Sequence, residues 1–387
     1  MSKPVERQLH GLDQESEMQA AARASQPPPG EKSMTKRLVS LDAYRGLIMI
    51  CLISAGFGLS AFEGHPWLGF LANQVKHVPW EGLTFWDLIQ PAFMFMVGMA
   101  MPFAYAKRQS LGLSHRRIFC HVIYRALMLI LIANVIGTIH RGEPGLGFIN
   151  VLNQIAIGYF LAFLVINRGY LGQGLAAAGI LFFYSMAWML YPENGPGGPW
   201  ERSFQNLGGD FDMWLLGKNY RGFYVGLNAV PATVTIISGM MVGRVVGSTW
   251  PAKRIMQILA AAGFSGIVLG FMLSPLIPII KHIWTASFTL YSAGIIILGL
   301  LLVYWMVEVK KWTRWTYIPV VVGMNSIFAY IIFQLARGSV EDAVMAFIRP
   351  LAEAMGPWGE VFHSLLSLAV IWYVLYFFYK RRIFLKV

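Results

Sequence analysis

Charged residues are scarce in this chain. Only 13% of its 387 residues are charged, whereas 56% are hydrophobic and 14% are aromatic. Soluble globular proteins carry about 25% charged residues, so most of this chain is not expected to face water. Both cysteines, Cys51 and Cys120, fall inside apolar runs, which excludes a disulfide in an exported loop and leaves the redox compartment open.

Several functional motifs are also missing. The sequence has no Walker loop, GxSxG, HExxH or CxxC, and its histidines are scattered, so no metal site is predicted. The net charge of +12 is not concentrated in a basic domain, so nucleic acid is not an expected partner. No apolar segment precedes Arg37, so we expect no cleavable signal peptide. Residues 1–34 are polar and are predicted to form a disordered cytoplasmic tail.

Long apolar runs are what the sequence does contain. A transmembrane helix needs about 20 mostly apolar residues, and about ten segments meet this requirement. They cover residues 43–62, 85–106, 118–138, 147–167, 173–191, 226–246, 255–275, 285–307, 317–336 and 359–379. The predicted fold is an all-α polytopic membrane bundle of about ten transmembrane helices within residues 35–387. The small-residue pairs in GMMVG (239–243) and GIVLG (266–270) predict close helix contacts.

The basic residues predict the orientation of the bundle. If the spans alternate sides, most Lys and Arg residues fall on one side, and that side has the shorter loops. They include Lys36 with Arg37, Lys107 with Arg108, Arg116 with Arg117, Lys253 with Arg254, Lys310 with Lys311, and Lys380 with Arg381. By the positive-inside rule this side is cytoplasmic, both termini are inside, and His77 lies at the outer face of the inner (plasma) membrane.

Charged side chains within apolar runs need a partner, a cavity or a pathway. Asp42 and Arg45 are three residues apart and share a helix face, where they form either a structural ion pair or an anchor for an anionic ligand. Arg125, four residues after His121, lies deeper in its span unless it extends to the cytoplasmic surface. Because a guanidinium binds phosphate with a fork of donors, Arg45 and Arg125 are the first candidates for a phosphate-bearing ligand.

Polar residues also mark other spans. Asn150, Asn153 and Gln154 form a stripe that interhelical hydrogen bonds explain, although a sugar pathway would use the same side chains. Lys281 and His282 lie at the outer end of another span, where a lone histidine is typical of the surface. His77, Glu81 and Asp87 stand directly before the second apolar run, in QVKHVPWEGLTFWDLIQ (74–90). Charges in this position indicate a function.

Two blocks of the sequence resemble a known family. RLVSLDAYRGLIMI (37–50) and HVPWEGLTFWDLIQPAFMFMVG (77–98) are similar to paired motifs of the heparan-α-glucosaminide N-acetyltransferase family and its bacterial relatives, a transmembrane acyltransferase group. The matching positions are Arg37, Leu38, Ser40, Asp42, Arg45, Gly46, His77, Trp80, Gly82, Thr84, Asp87, Leu88, Pro91, Phe93, Phe95 and Gly98. Arg125 and the segments IPIIKHIWTASF (277–288) and GMNSIFAY (323–330) extend the resemblance to residues 37–336.

The resemblance implies transfer of an acetyl group from cytoplasmic acetyl-CoA to an amino sugar or glycan outside. It places the active-site histidine at His77. A neutral histidine is a suitable base for activating an amine, and a carboxylate on its other ring nitrogen would fix its tautomer. Asp87 is the preferred carboxylate and Glu81 the alternative, and direct transfer and passage through an acetyl-histidine both stay open.

Further site residues follow from the same resemblance. Arg45 and Arg125, with Asp42 beside them, are expected to hold acetyl-CoA as a co-substrate. The predicted acceptor-binding residues are Trp80, Glu81, Lys281 and Asn325. The expected partners are therefore the bilayer, acetyl-CoA and a sugar acceptor, and the sequence leaves a homodimer open.

The sequence departs from the family pattern at three positions. Gly56 stands where the family has an active-site Asn, and Phe333 and Gln334 replace a His-Glu pair. The alternative function is therefore an amino-sugar permease of the N-acetylglucosamine type.

Overall fold

The computed structural model describes residues 38–385, which form fourteen α-helices and no named β-strand. The helices are α1 (Val39–Ser54), α2 (Gly69–Gln74), α3 (Ile89–Ser110), α4 (His115–Arg141), α5 (Val151–Phe163), α6 (Tyr170–Met189), α7 (Leu207–Leu216), α8 (Ala229–Val246), α9 (Ala252–Leu273), α10 (Ala286–Tyr304), α11 (Tyr317–Gly323), α12 (Ser326–Leu335), α13 (Arg337–Ala354) and α14 (Pro357–Lys380). The predicted tail, residues 1–34, and the motif residue Arg37 lie outside the described residues.

Within the described part of the chain, seven helices are long and apolar enough to cross a membrane. They are Phe85–Ser110, His115–Arg141, Tyr170–Met189, Arg221–Val246, Ala252–Leu273, Ala286–Val309 and Pro357–Lys380. Each overlaps one of the spans predicted from the apolar runs. The prediction of an all-α, multi-pass membrane protein is confirmed, whereas the count of about ten spans and the side of each terminus stay predictions.

The other three predicted spans take different forms. Helix α1 has 16 residues and ends where Ala55 adopts the left-handed conformation, with φ of 45°. The following residues, 56–58, also have positive φ, so the helix cannot continue. Helix α5 has 13 residues and begins only after Asn150, which caps it by accepting a hydrogen bond from the backbone N–H of Leu152. The predicted span 317–336 is broken, since the two helical segments on either side of residues 324–325 meet at 67°.

Small residues bring α3 and α8 into backbone contact. A Cβ atom placed on Gly98 would lie 2.0 Å from the carbonyl oxygen of Ile236, and one on Gly239 would lie 2.0 Å from that of Phe95. A side chain at either position would push the helices apart. The close contact predicted for GMMVG is therefore confirmed, and it explains why α3 lies in the buried centre of the bundle.

Helix α3 connects the two regions that carry the candidate site. It has 22 residues and is therefore about 33 Å long, close to the thickness of a membrane core. A 3₁₀ turn, Phe85–Leu88, runs directly into its first residue. Its last turn carries Lys107 and Arg108, and α4 starts shortly afterwards with His115.

Candidate active site

The 3₁₀ turn before α3 holds a buried carboxylate. Asp87 Oδ2 accepts hydrogen bonds from the backbone N–H groups of Thr84 and Val78, each at 3.2 Å. Thr84 Oγ1 adds a third contact at 2.9 Å. Thr84 and Asp87 thus form a capping box at the start of the turn. This local pattern fixes the Asp87 side chain from residues within its own segment.

The second oxygen of Asp87 brings distant residues together. Asp87 Oδ1 lies 2.7 Å from His77 Nδ1 and 3.2 Å from Lys281 Nζ. The Asp87 and Lys281 side chains are only 2% and 6% exposed. A carboxylate with donors at both oxygens and an ammonium beside it is held in its ionised form. We refer to His77, Asp87 and Lys281 as the catalytic cluster, after the role proposed for them below.

The contact with Asp87 sets the tautomer of His77. Because an ionised carboxylate can only accept, the 2.7 Å contact places a proton on Nδ1. The Nε2 lone pair is then available as a base or nucleophile. The side chain is 49% exposed, so a substrate can reach it. Of the two carboxylates considered from the sequence, Asp87 makes this contact, whereas Glu81 is exposed.

A buried loop between α9 and α10 supplies Lys281. Its main chain pairs with the loop that precedes the 3₁₀ turn: Glu81 and Ile280 form an isolated antiparallel bridge, and the N–H of Gly82 donates to the carbonyl of Ile279 at 2.8 Å. Burial lowers the pKa of Lys281, and the charge of Asp87 opposes this shift. The backbone of Trp284, three residues later, has φ of 53°, an uncommon conformation for a bulky residue that often accompanies functional sites.

His282 is buried, so its prediction as a surface residue is wrong. Only 6% of it is exposed, and its ring lies 4.2 Å from that of Tyr224 and 5.3 Å from that of Trp80, between centroids. Burial, followed by the charge of Lys281, lowers the pKa of His282 to about 4. The ring is therefore neutral near pH 7.

Trp80 links the catalytic cluster to the segment between α6 and α8. Its Nε1 donates to the carbonyl of Trp200 at 2.8 Å, and its ring lies 6.4 Å from that of Phe223. These aromatic side chains are half-buried. They form a wall beside His282 that an organic substrate could contact.

A second region lies further along α3. A cavity of about 510 Å³ is lined by residues of α1, α3, α4, the break between α11 and α12, and Leu385. Three arginines line it: Arg45, Arg108 and Arg125. The Nε atoms of Arg45 and Arg125 are buried without a hydrogen-bond partner among the described residues. Unpaired buried guanidinium donors in a cavity favour an anionic ligand.

The arginines are oriented by neighbouring side chains. Arg45 forms an ion pair with Asp42, which is one of the two roles that their spacing left open. The guanidinium of Arg125 lies 4.7 Å from the centre of the Tyr159 ring, a cation–π contact that holds it within the bundle. Arg108 was counted only as a topology charge from the sequence, yet it lines this cavity. A Lys-Arg pair in the last turn of a helix does not predict that one of its side chains lines a cavity.

The cavity does not include the catalytic cluster. Phe93, a lining residue, is six residues beyond Asp87 on α3, a helix rise of about 9 Å. Arg108 lies a further fifteen residues along the chain. An elongated ligand could therefore extend from the arginines along α3 towards the cluster.

Asn325 lies apart from the other predicted acceptor residues. Its Nδ2 donates to the carbonyl of Ile383 at 2.9 Å, and its Oδ1 accepts from the N–H of Leu385 at 3.0 Å. Both polar atoms therefore hold the C-terminal segment beside the arginine-lined cavity. Within residues 38–385, no group of three His, Cys, Asp or Glu side chains could hold a metal ion.

Comparison with known proteins supports the resemblance found in the motifs. No family model matches the chain. Mouse heparan-alpha-glucosaminide N-acetyltransferase is 23% identical over 94% of this chain, and the chain covers 62% of the mouse protein. The human protein of the same name is 29% identical over 104 residues, which are 27% of this chain and 14% of the human protein. The chain is thus similar to these two proteins at low identity, and it spans less than two thirds of the length of the mouse protein.

Proposed function

We propose that this chain is a membrane acetyltransferase that moves the acetyl group of acetyl-CoA to an amino sugar or glycan on the opposite face of the membrane. The observation that carries the proposal is the contact of His77 Nδ1 with the buried Asp87 carboxylate, which leaves Nε2 unprotonated on a side chain that is half exposed. The similarity to two membrane N-acetyltransferases supports the same reaction class. The proposed location is the inner (plasma) membrane.

His77 acts as the base in this reaction. The amine nitrogen of the acceptor attacks the thioester carbonyl carbon, the new C–N bond forms, and the C–S bond breaks. The proton lost by the amine passes to His77 Nε2 and then to the sulfur of CoA. Asp87 keeps the imidazole in the required tautomer and stabilises its protonated form during transfer. Acetylation of Nε2 itself before transfer to the amine would use the same geometry.

Lys281 supplies positive charge at the reaction centre. Its ammonium holds Asp87 ionised, and it stands 3.2 Å from His77 Nδ1. Negative charge develops on the thioester oxygen as the amine attacks, and a buried cation close by would stabilise it. Lys281 therefore serves the chemistry rather than binding the acceptor alone.

The arginine-lined cavity is the proposed donor site. The phosphates of acetyl-CoA need several cationic donors, and Arg45, Arg108 and Arg125 provide them. Helix α12 begins at Ser326, which also lines the cavity, so the positive end of this helix dipole adds to the field. The acyl arm of the donor would extend along α3 towards His77.

Reconstituted vesicles test the proposal directly. Acetyl-CoA with a labelled acetyl group is placed on the side of the arginine-lined cavity, and glucosamine is placed on the side of His77. The wild-type protein should form labelled N-acetylglucosamine, and His77→Ala should not. His65→Ala is a matched control, because His65 is another exposed histidine on the segment before α3. Equal product from His77→Ala and wild type would refute the proposal.

An amino-sugar permease is the second candidate. The 67° break between the segments Arg314–Gly323 and Ser326–Leu335 favours it, because interrupted membrane helices commonly form transporter binding sites. Gly56, Phe333 and Gln334 are also unlike the acetyltransferase pattern. In the same vesicles, a permease would accumulate labelled sugar without acetyl-CoA and without an acetylated product.

A further inference from the structure

A chain of buried amide side chains runs through the bundle beside the catalytic cluster. Gln90 on α3 donates to Gln154 on α5, and Gln154 donates to Asn228 at the start of α8. Asn228 Nδ2 then donates to the main-chain carbonyl of His282 at 3.1 Å. Gln154 is 1% exposed and Asn228 is 0% exposed, so water does not compete for these bonds. We call these three residues the amide relay.

The relay has a single direction. Its last acceptor is a backbone carbonyl, which can only accept a hydrogen bond. Asn228 must therefore point its NH₂ group at His282 and its oxygen at Gln154. Gln154 must in turn present its NH₂ group to Asn228 and its oxygen to Gln90. Each amide thus fixes the orientation of the next one.

Both ends of the relay adjoin the contact between Asp87 and Lys281. Gln90 follows Asp87 by three residues and lies on the first turn of α3. At the other end, the carbonyl that accepts from Asn228 belongs to the residue directly after Lys281. The contact pairs two segments that are far apart in sequence, and the relay joins the same two segments through α5 and α8.

We propose that Gln154 and Asn228 are positioning residues, which hold the Lys281 loop so that its ammonium stays on Asp87 beside His77. Neither side chain needs to touch a substrate for this role. The inference deepens the proposed acetyltransferase function, and it predicts a change in the Lys281 loop that can be measured without any activity assay.

The test measures the exposure of Lys281 by reaction with an amine-reactive ester and mass spectrometry. Lys76 is the internal reference, since its side chain is 38% exposed. Losing one buried hydrogen bond of about 1 kcal/mol should raise the Lys281 to Lys76 labelling ratio about fivefold in Asn228→Leu. Gln154→Met should raise it as well, although Gln154 bonds to Gln90 and Asn228 rather than to the loop.

A matched control separates positioning from general loss of packing. Gln173 is also a fully buried amide that donates to a backbone carbonyl, that of Val165 at 3.1 Å, but it lies on α6. Gln173→Met should leave the labelling ratio of Lys281 at the wild-type value. An equal rise in Gln173→Met and Asn228→Leu would contradict the proposal.

Asn228→Asp gives a readout that a purely structural role would not produce. A neutral carboxyl group can still donate its O–H to the His282 carbonyl, whereas an ionised one repels it. The labelling ratio relative to wild type should therefore start near one at acidic pH and rise towards the Asn228→Leu value at alkaline pH. A ratio that stays at the wild-type value across this range, in a folded protein, would overturn the proposal.

Kinetics then connect the relay to the reaction. In the vesicle assay, Asn228→Leu should lower kcat about tenfold or more while the KM for acetyl-CoA stays near the wild-type value, because a displaced catalytic charge affects the transition state rather than donor binding. If wild-type vesicles transfer no acetyl group at all, the proposed function fails, and the labelling experiment still decides the relay.

Discussion

Lys281 contacts Asp87 across 194 residues of sequence, with its Nζ 3.2 Å from Asp87 Oδ1. Both side chains are almost fully buried, so water does little to screen this pair. The contact joins the loop after α9 to the 3₁₀ turn before α3. The position of the His77 ring therefore depends on two segments that pack together only in the folded protein.

Lys281→Met should destabilise the protein strongly. It leaves Asp87 buried without its cationic partner, and breaking one side of a buried ion pair typically costs about 3–5 kcal/mol. Lys76→Met is the matched control, because the ion pair of Lys76 with Glu63 is exposed and should contribute at most about 1 kcal/mol. Denaturant unfolding in detergent measures both variants, and similar losses in the two would contradict this account.

Asp87→Asn should reduce acetyl transfer about as much as removing the base. The amide preserves the shape of the side chain but can turn its NH₂ towards His77 Nδ1, which favours the wrong tautomer. We expect a fall of about 10²–10⁴-fold in kcat for His77→Ala and for Asp87→Asn. Glu81→Gln, at an exposed carboxylate, should retain most of the activity. A larger loss in Glu81→Gln than in Asp87→Asn would reverse the assignment of the carboxylate.

Arg125→Ala should weaken the binding of CoA while the protein stays folded. One charge-assisted contact is worth about 1.5–3 kcal/mol, which corresponds to a loss of about 10–150-fold in affinity. Arg125→Lys should recover only part of it, because an ammonium lacks the fork of donors. Calorimetry with CoA measures the change, and Arg254→Ala, at an exposed arginine beside Trp250, should bind normally. Normal binding by Arg125→Ala would remove Arg125 from the donor site.

The pH dependence of stability should reveal two opposing groups. Burial raises the pKa of Asp212 from 3.8 to about 6, with hydrogen bonds from the Gly226 N–H opposing the shift. The folded state then binds more protons than the unfolded state in this window, so Asp212 makes stability fall as pH rises from 3.8 to 6. Burial lowers the pKa of His282 from 6.5 to about 4, so the unfolded state binds more protons at this residue than the folded state. His282 therefore makes stability fall as the pH drops from 6.5 to 4.

Variants separate these two contributions. Asp212→Asn removes the group that stabilises the protein at low pH and leaves the opposing effect of His282. The Tm of this variant should therefore fall more steeply than that of the wild type when the pH is lowered from 6.5 to 4. His282→Gln removes the group that destabilises the protein at low pH and leaves the effect of Asp212. The Tm of this variant should therefore fall more steeply than that of the wild type as the pH rises from 3.8 to 6. Thermal melting in detergent gives both curves. Parallel curves for the wild type and both variants would show that neither group titrates in this range.

The topology can be tested with reporter fusions. The distribution of Lys and Arg predicts that a fusion after Ser110 reports the cytoplasm and that one within residues 195–220 reports the outside. A fusion at the C-terminus should also report the cytoplasm. A cytoplasmic signal from residues 195–220 would place the catalytic cluster and the arginine-lined cavity on the wrong sides of the membrane for the proposed reaction.

The helical membrane fold was predictable because apolar length alone identifies a span. Seven predicted spans overlap helices that are long enough to cross. The short helix α1 was not predictable, because its end depends on the backbone conformation of Ala55 and the residues after it rather than on hydropathy. The broken span was missed for the same reason. Both of its halves are apolar, so the hydropathy of the sequence does not reveal the 67° bend between them.

The candidate site was predictable only in its local part. His77 and Asp87 are ten residues apart, so one motif contained both members of the contact. Lys281 was placed near the acceptor, but its bond to Asp87 depends on how two loops pack. Arg108 resembled an ordinary topology charge, and Asn325 resembled a ligand-binding amide although it holds the C-terminal segment. Packing between helices decides these positions, and helical periodicity does not report it.

The main-chain bond from Gly82 to Ile279 affects how the protein can evolve. This bond and the bridge between Glu81 and Ile280 set the register of the two site loops through backbone atoms. A backbone hydrogen bond is the same whichever side chain its residue carries. The exposed Glu81 can therefore vary among descendants of this protein without shifting His77 or Lys281, whereas a proline at Gly82 would remove the donor and separate the loops. Deep mutational scanning should show wide tolerance at Glu81 beside near invariance at Asp87 and Lys281.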